Sequence, residues 1–116
     1  MSETKPERPA IDDKWISKFL AHLAADRGAS VYTQRNYQQA LHEFYRWHQT
    51  ERHQSPQWTT LQRDDFRSYL RQLGRGDLSR AAIQLRFSAL RSFYKFLIRH
   101  GQLKTSPIKN ISLPKL

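Results

Sequence analysis

Residues 78–101, LSRAAIQLRFSALRSFYKFLIRHG, decide the fold. Apolar positions recur at helical spacing from Ser79, which can cap a helix start, to Gly101, which can close its end. Projected along a helix, Ile83, Phe87, Leu90, Tyr94, Leu97 and Ile98 share one face, as a helix packed on a core requires. Leu85, Ala89 and Phe96 fall on the far side, so a second surface is apolar as well. Between them runs a polar stripe of Arg80, Gln84, Ser88, Arg91 and Lys95. Arg86 and Arg99 add to the positive charge, and no acid lies between Ser79 and His100. Such a helix serves a core and presents a basic face, either to solvent or to an anion.

Working outward, the same periodicity predicts three more helices. Trp15, Ile16, Phe19, Leu20 and Leu23 predict a first helix over about 13–27, started by Asp12 and Asp13 and stopped by Gly28. Ser30 is placed to cap a second helix, over about 31–53, with an inner stripe of Tyr37, Leu41, Phe44, Tyr45 and His48. The other face of that helix carries Tyr32, Arg35, Asn36, Gln39, Glu43 and Arg46 and is rich in amides. Pro56 interrupts the pattern, and Trp58 and Leu61 are expected to tuck the intervening loop onto the core. A third helix, over about 63–73, buries Phe66, Tyr69, Leu70 and Leu73 and starts with Asp64 and Asp65. GRGD (74–77) turns the chain into the fourth helix, over about 79–100. No stretch alternates as a strand does, so the fold class is all-α, a compact four-helix bundle.

At 116 residues the chain fits one domain. Its net charge of +10 points to a polyanionic partner, nucleic acid before membrane. The charge is also unevenly placed: residues 79–116 hold eight Lys/Arg and no Asp/Glu. No run approaches the ~20 apolar residues of a membrane span, and the N-terminus lacks the apolar core of a signal peptide. The absence of cysteine removes disulfide, thiolate-metal and thiol chemistry and suits a reducing cytoplasm, the expected location. The five histidines are scattered away from acids, which nominates no metal site, and His48 belongs to the core. No nucleophile–base pair or glycine-rich phosphate loop is present. The expectation is a binding domain without cofactor, metal or small-molecule substrate.

The run LSRAAIQLRFSALRSFYKFLIRHGQLKTSPIKNISLPK resembles the end of the core-binding domain of XerC-type tyrosine recombinases. FLAHLAADRGAS, TQRNYQQAL and DDFRSYLRQL extend the resemblance over most of the chain. It implies a SAM-like orthogonal bundle that grips one side of a recombination half-site, with a larger catalytic domain to follow. In such enzymes that second domain supplies the tyrosine that attacks a phosphate, and none of the tyrosines here is assigned that role. The parent would act in DNA recombination or integration and in chromosome dimer resolution. The polar N-terminus predicts a flexible tail over 1–11, and the resemblance implies that 12–105 is the DNA-binding domain and 106–116 the start of an interdomain linker.

The resemblance implies a site as well. Ser30, Tyr32, Thr33, Arg35, Asn36 and Gln39 of the second helix would lie toward the major groove of double-stranded DNA. Arg80, Gln84, Arg86, Arg91 and Lys95 of the fourth would serve the phosphate backbone, with Lys109 nearby. Physically, the basic groups neutralise phosphates without reading sequence, whereas Asn36 and Gln39 offer a donor and an acceptor to a base edge. Other recombinase protomers are the implied protein partners. Two other readings stand beside this one: a helical protein-interaction module, suggested by the second apolar face, and a stand-alone DNA-binding regulator.

Overall fold

The structure, a computed structural model, describes residues 10–26 and 28–115. Its four helices are α1 (Lys14–Ala25), α2 (Val31–Arg52), α3 (Arg63–Arg75) and α4 (Arg80–Arg99). No strand occurs among the described residues, and the all-α bundle is the architecture expected from the periodicity. Of the tail expected at 1–11, only Ala10 and Ile11 fall within the described residues.

Each helix start is fixed by a side chain. Asp13 accepts the N–H groups of Trp15 (3.0 Å) and Ile16 (2.9 Å) through Oδ1, and its Oδ2 accepts the indole N–H of Trp58 at 2.8 Å. One carboxylate thus caps α1 and anchors the α2–α3 loop. Ser30 accepts the N–H of Thr33, and Ser79 that of Ala82. At α3, Asp65 accepts the N–H of Gln62 at 2.8 Å.

One helix end departs from expectation. Asp26, not Gly28, ends α1: its backbone turns extended, and its Oδ1 accepts the N–H of Gly28 at 3.0 Å, so an Asx turn replaces the next helical bond. α2 ends at His53, which adopts a left-handed conformation (φ 59°, ψ 27°) three residues ahead of Pro56. Gly101 does close α4. With φ at +73° it forms a Schellman turn, its N–H bonded to the Ile98 carbonyl and the Gln102 N–H to that of Leu97, each at 3.0 Å.

α4 touches all three other helices, which explains its two apolar faces. Phe87, Leu90, Tyr94 and Leu97 are fully buried, and so are Ala89 and Phe93. Phe93 was missing from the expected face, because a helix enclosed on most sides buries positions that a single stripe omits. The far-side residue Phe96 is covered by α1, with ring centroids 5.5 Å from Phe19 and 6.4 Å from Trp15. The second apolar face is therefore an internal contact. Leu85 is its one exposed member.

The aromatics form one continuous core. Phe44 stacks on Phe66 (5.1 Å) and meets Tyr69 edge-on (5.0 Å), and Trp58 meets Phe93 at 4.7 Å. Truncating Phe44, which has no exposed surface, to Ala costs about 3–5 kcal/mol. His48 lies in this core, its Nδ1 2.8 Å from the carbonyl of Gln54, which can only accept. Trp58 and Leu61 are buried as expected, and the hydroxyl of Tyr94 donates to the Trp58 carbonyl at 2.7 Å.

After Gly101 the chain folds back along α4. Ile108 and Ile111 are buried, and the segment runs antiparallel to the helix. Arg91 donates to the carbonyl of Ile111 (3.3 Å), Gln84 to that of Pro114 (2.7 Å) and Arg80 to that of Lys115 (3.1 Å).

Candidate nucleic-acid interface

The N-terminal half of α2 presents an accessible polar surface. Tyr32 is 75% exposed, Val31 beside it 64%, and Arg35 and Gln39 are also exposed. Thr33 and Asn36 are half-buried at the edge of this face. Ser30 donates its hydroxyl to Thr33 Oγ1 at 3.0 Å while accepting the Thr33 N–H, so the first turn is locally organised. No acid occurs from Gly28 to His42, and neither α2 nor α4 has one in its first turn. α3, by contrast, places Asp64 and Asp65 there. The positive ends of α2 and α4 thus carry no carboxylate, while that of α3 is answered by two.

The two helices meet in a depression of about 140 Å³ lined by Asn36, Gln39, Ala40 and Glu43 of α2 and Leu85 and Arg86 of α4. Arg86 is clamped there. Its Nε lies 2.7 Å and its Nη2 3.3 Å from the two oxygens of Glu43, and its Nη1 donates to the Ala82 carbonyl at 3.1 Å. Gln39 also donates to Glu43, at 3.2 Å. Glu43 is therefore the organiser of this junction. It was visible beforehand only as the lone acid on an otherwise neutral or basic helix face. From the same junction an open groove of about 730 Å³ continues between α2 and α3, past His42 and Trp47 to Gln72. Burial, followed by the charge of Arg46, lowers the pKa of His42 from its ordinary 6.5.

The structure divides the expected site residues into two groups. Ser30, Tyr32, Thr33, Arg35, Asn36 and Gln39 share the α2 face, and Arg86 joins them across the depression. Arg80, Gln84 and Arg91 lie roughly 120–160° around α4 from Arg86 and hold the returning C-terminal segment by its carbonyls. Lys95, exposed, continues that second flank. A carbonyl acceptor leaves the guanidinium charge intact but fixes its direction. Sequence periodicity groups the stripe correctly and does not reveal what lies across it.

The phage integrase N-terminal SAM-like domain family matches residues 16–101 of this chain. The chain belongs to that family. It is 35% identical over 100 residues to the tyrosine recombinase XerC of Vibrio cholerae serotype O1, covering 86% of this chain and 32% of that protein. The XerC of Salmonella typhi is also 35% identical over 100 residues, covering 86% and 33%, and that of Vibrio atlanticus 31% over 121 residues, covering 97% and 36%. The chain spans about a third of the length of these relatives. No solved structure matches it. No described helix is long and apolar enough to cross a membrane.

Proposed function

We propose that this domain binds double-stranded DNA as the core-binding part of a XerC-like tyrosine recombinase, whose remaining part would carry the phosphotyrosine chemistry. The observation that carries the reading is the acid-free N-terminal half of α2, whose Val31, Tyr32, Arg35 and Gln39 are exposed and which adjoins Arg86 of α4. Laid in a major groove, this face brings Asn36 and Gln39 to base edges, Arg35 to a phosphate, and the capped start at Ser30 toward another. Arg86, held by Glu43, borders the same groove. Residues 106–115 would then lead toward the catalytic domain, along a path set by Arg80, Gln84 and Arg91. Other recombinase protomers would complete the assembly on a full site. The interaction-module reading loses its motive, since α1 covers Phe96 and Ala89 is buried.

The test is a titration against a recombination half-site duplex and a random duplex at two salt concentrations. Binding that weakens steeply with salt supports the proposal, and no binding to either duplex at low salt defeats it. Asn36→Ala should erode the preference for the half-site by about 1–3 kcal/mol. An unchanged preference removes Asn36 from base reading.

A further inference from the structure

A second cationic site lies on the other flank of α4. Where the C-terminal segment turns back, it leaves a cleft of about 510 Å³ between the second half of the helix and residues 104–111. Arg91, Lys95, Lys104 and Lys109 line this cleft, and no carboxylate does. None of the four enters an ion pair among the described residues. Between them lie Ile98, Ile108 and Ile111, the last two anchored in the core.

The cleft is preformed. Ser106 Oγ accepts the N–H of Ile108 (3.2 Å), and the Ser106 carbonyl that of Lys109 (3.4 Å). Asn110 completes the turn in the left-handed region at φ +65°, and Arg91 holds the next carbonyl, that of Ile111. The wall therefore needs little ordering before a ligand arrives.

Four uncompensated cations around one cleft attract a polyanion. The apolar surface between them gains only when carbon covers it. A phosphodiester backbone answers the first requirement and wastes the second, whereas a peptide with carboxylates on either side of an aliphatic side chain answers both. We propose that this cleft docks an acidic peptide segment of a partner protein. Its aliphatic side chain rests on Ile98, the partly exposed member of the apolar wall, and its Asp or Glu carboxylates pair with Lys95, Lys104 and Lys109. Arg91 and Lys95 lie roughly 140–180° around α4 from Arg86, so this site and the α2 face are open at the same time.

The experiment titrates the isotopically labelled chain by NMR with short peptides of equal length: alternating Glu and Leu, Glu alone, and alternating Gln and Leu. The expected shifts concentrate on residues 91–111. The Glu–Leu peptide should bind about tenfold more tightly than either control, since each control lacks one of the two matching features. Lys95→Glu combined with Lys109→Glu should weaken that peptide by about tenfold or more, with the core resonances unchanged because both side chains are exposed. The proposal is overturned if the cleft residues do not shift, if Glu alone binds as tightly, or if a short duplex shifts the same residues and displaces the peptide.

Discussion

Glu43 restrains Arg86, the α4 cation that borders the proposed DNA face, and its neutralisation gives a direct test of that face. In Glu43→Gln the guanidinium of Arg86 keeps its bond to the Ala82 carbonyl and loses its countercharge. If Arg86 then takes up one phosphate, the slope of log affinity against log salt steepens by about 0.9. Over a fourfold drop in salt this amounts to about 3.5-fold additional affinity. The cost to folding is modest. The Arg86 side chain is 15% exposed but that of Glu43 is 37%, so solvent screens the pair and its loss costs about 1 kcal/mol. Fluorescence anisotropy with a labelled duplex across a salt series measures the slope, and a thermal melt confirms that the variant is folded. A folded variant whose affinity and salt slope match those of the parent refutes a phosphate role for Arg86. One that binds more weakly with the slope unchanged shows instead that Glu43 shapes the α2 face.

Three further measurements probe the fold. Tyr94→Phe strips the only described donor from the buried Trp58 carbonyl and should cost about 1–2 kcal/mol in urea unfolding, whereas Tyr69→Phe removes a buried hydroxyl without a hydrogen-bond partner and should be neutral or stabilising by up to about 1 kcal/mol. Gly101→Ala meets no atom within 4 Å, so its cost is that of the left-handed backbone alone, about 1 kcal/mol, read as a lower melting temperature. Because the folded state lowers the pKa of His42, the unfolded chain binds its proton more readily. Stability is therefore full above the unfolded value of 6.5 and declines as pH falls through it; His42→Gln should flatten that part of a melting-temperature profile.

Local chemistry carried most of the fold in the sequence itself. Helix period, the caps at Asp13, Ser30 and Ser79, and the left-handed closure at Gly101 depend on residues within a few positions of one another. They are legible before any packing is known. The α2 face from Tyr32 to Gln39 was legible for the same reason, since one helix presents it whole. The end of α1 at Asp26, earlier than expected, shows the limit of local signals. Gly28 is a strong breaker, yet an Asx turn at Asp26 ends the helix sooner.

Long-range pairings were decided only by the tertiary structure. Glu43 and Arg86 are separated by 43 residues, and neither helix pattern marks them as partners. Asp13 and Trp58 are 45 apart. The apolar far side of α4 looked unpartnered because periodicity records a side chain's direction and not what stands opposite; α1 stands there. Arg80, Gln84 and Arg91 of the polar stripe lie on one flank of α4. What it faces is the chain's own returning backbone, held through carbonyls that carry no side-chain signature. Residues 78–101 by themselves determined a buried helix with an acid-free basic face. Which cations of that face remain open to an outside anion followed from how α2 and the C-terminal segment fold across it.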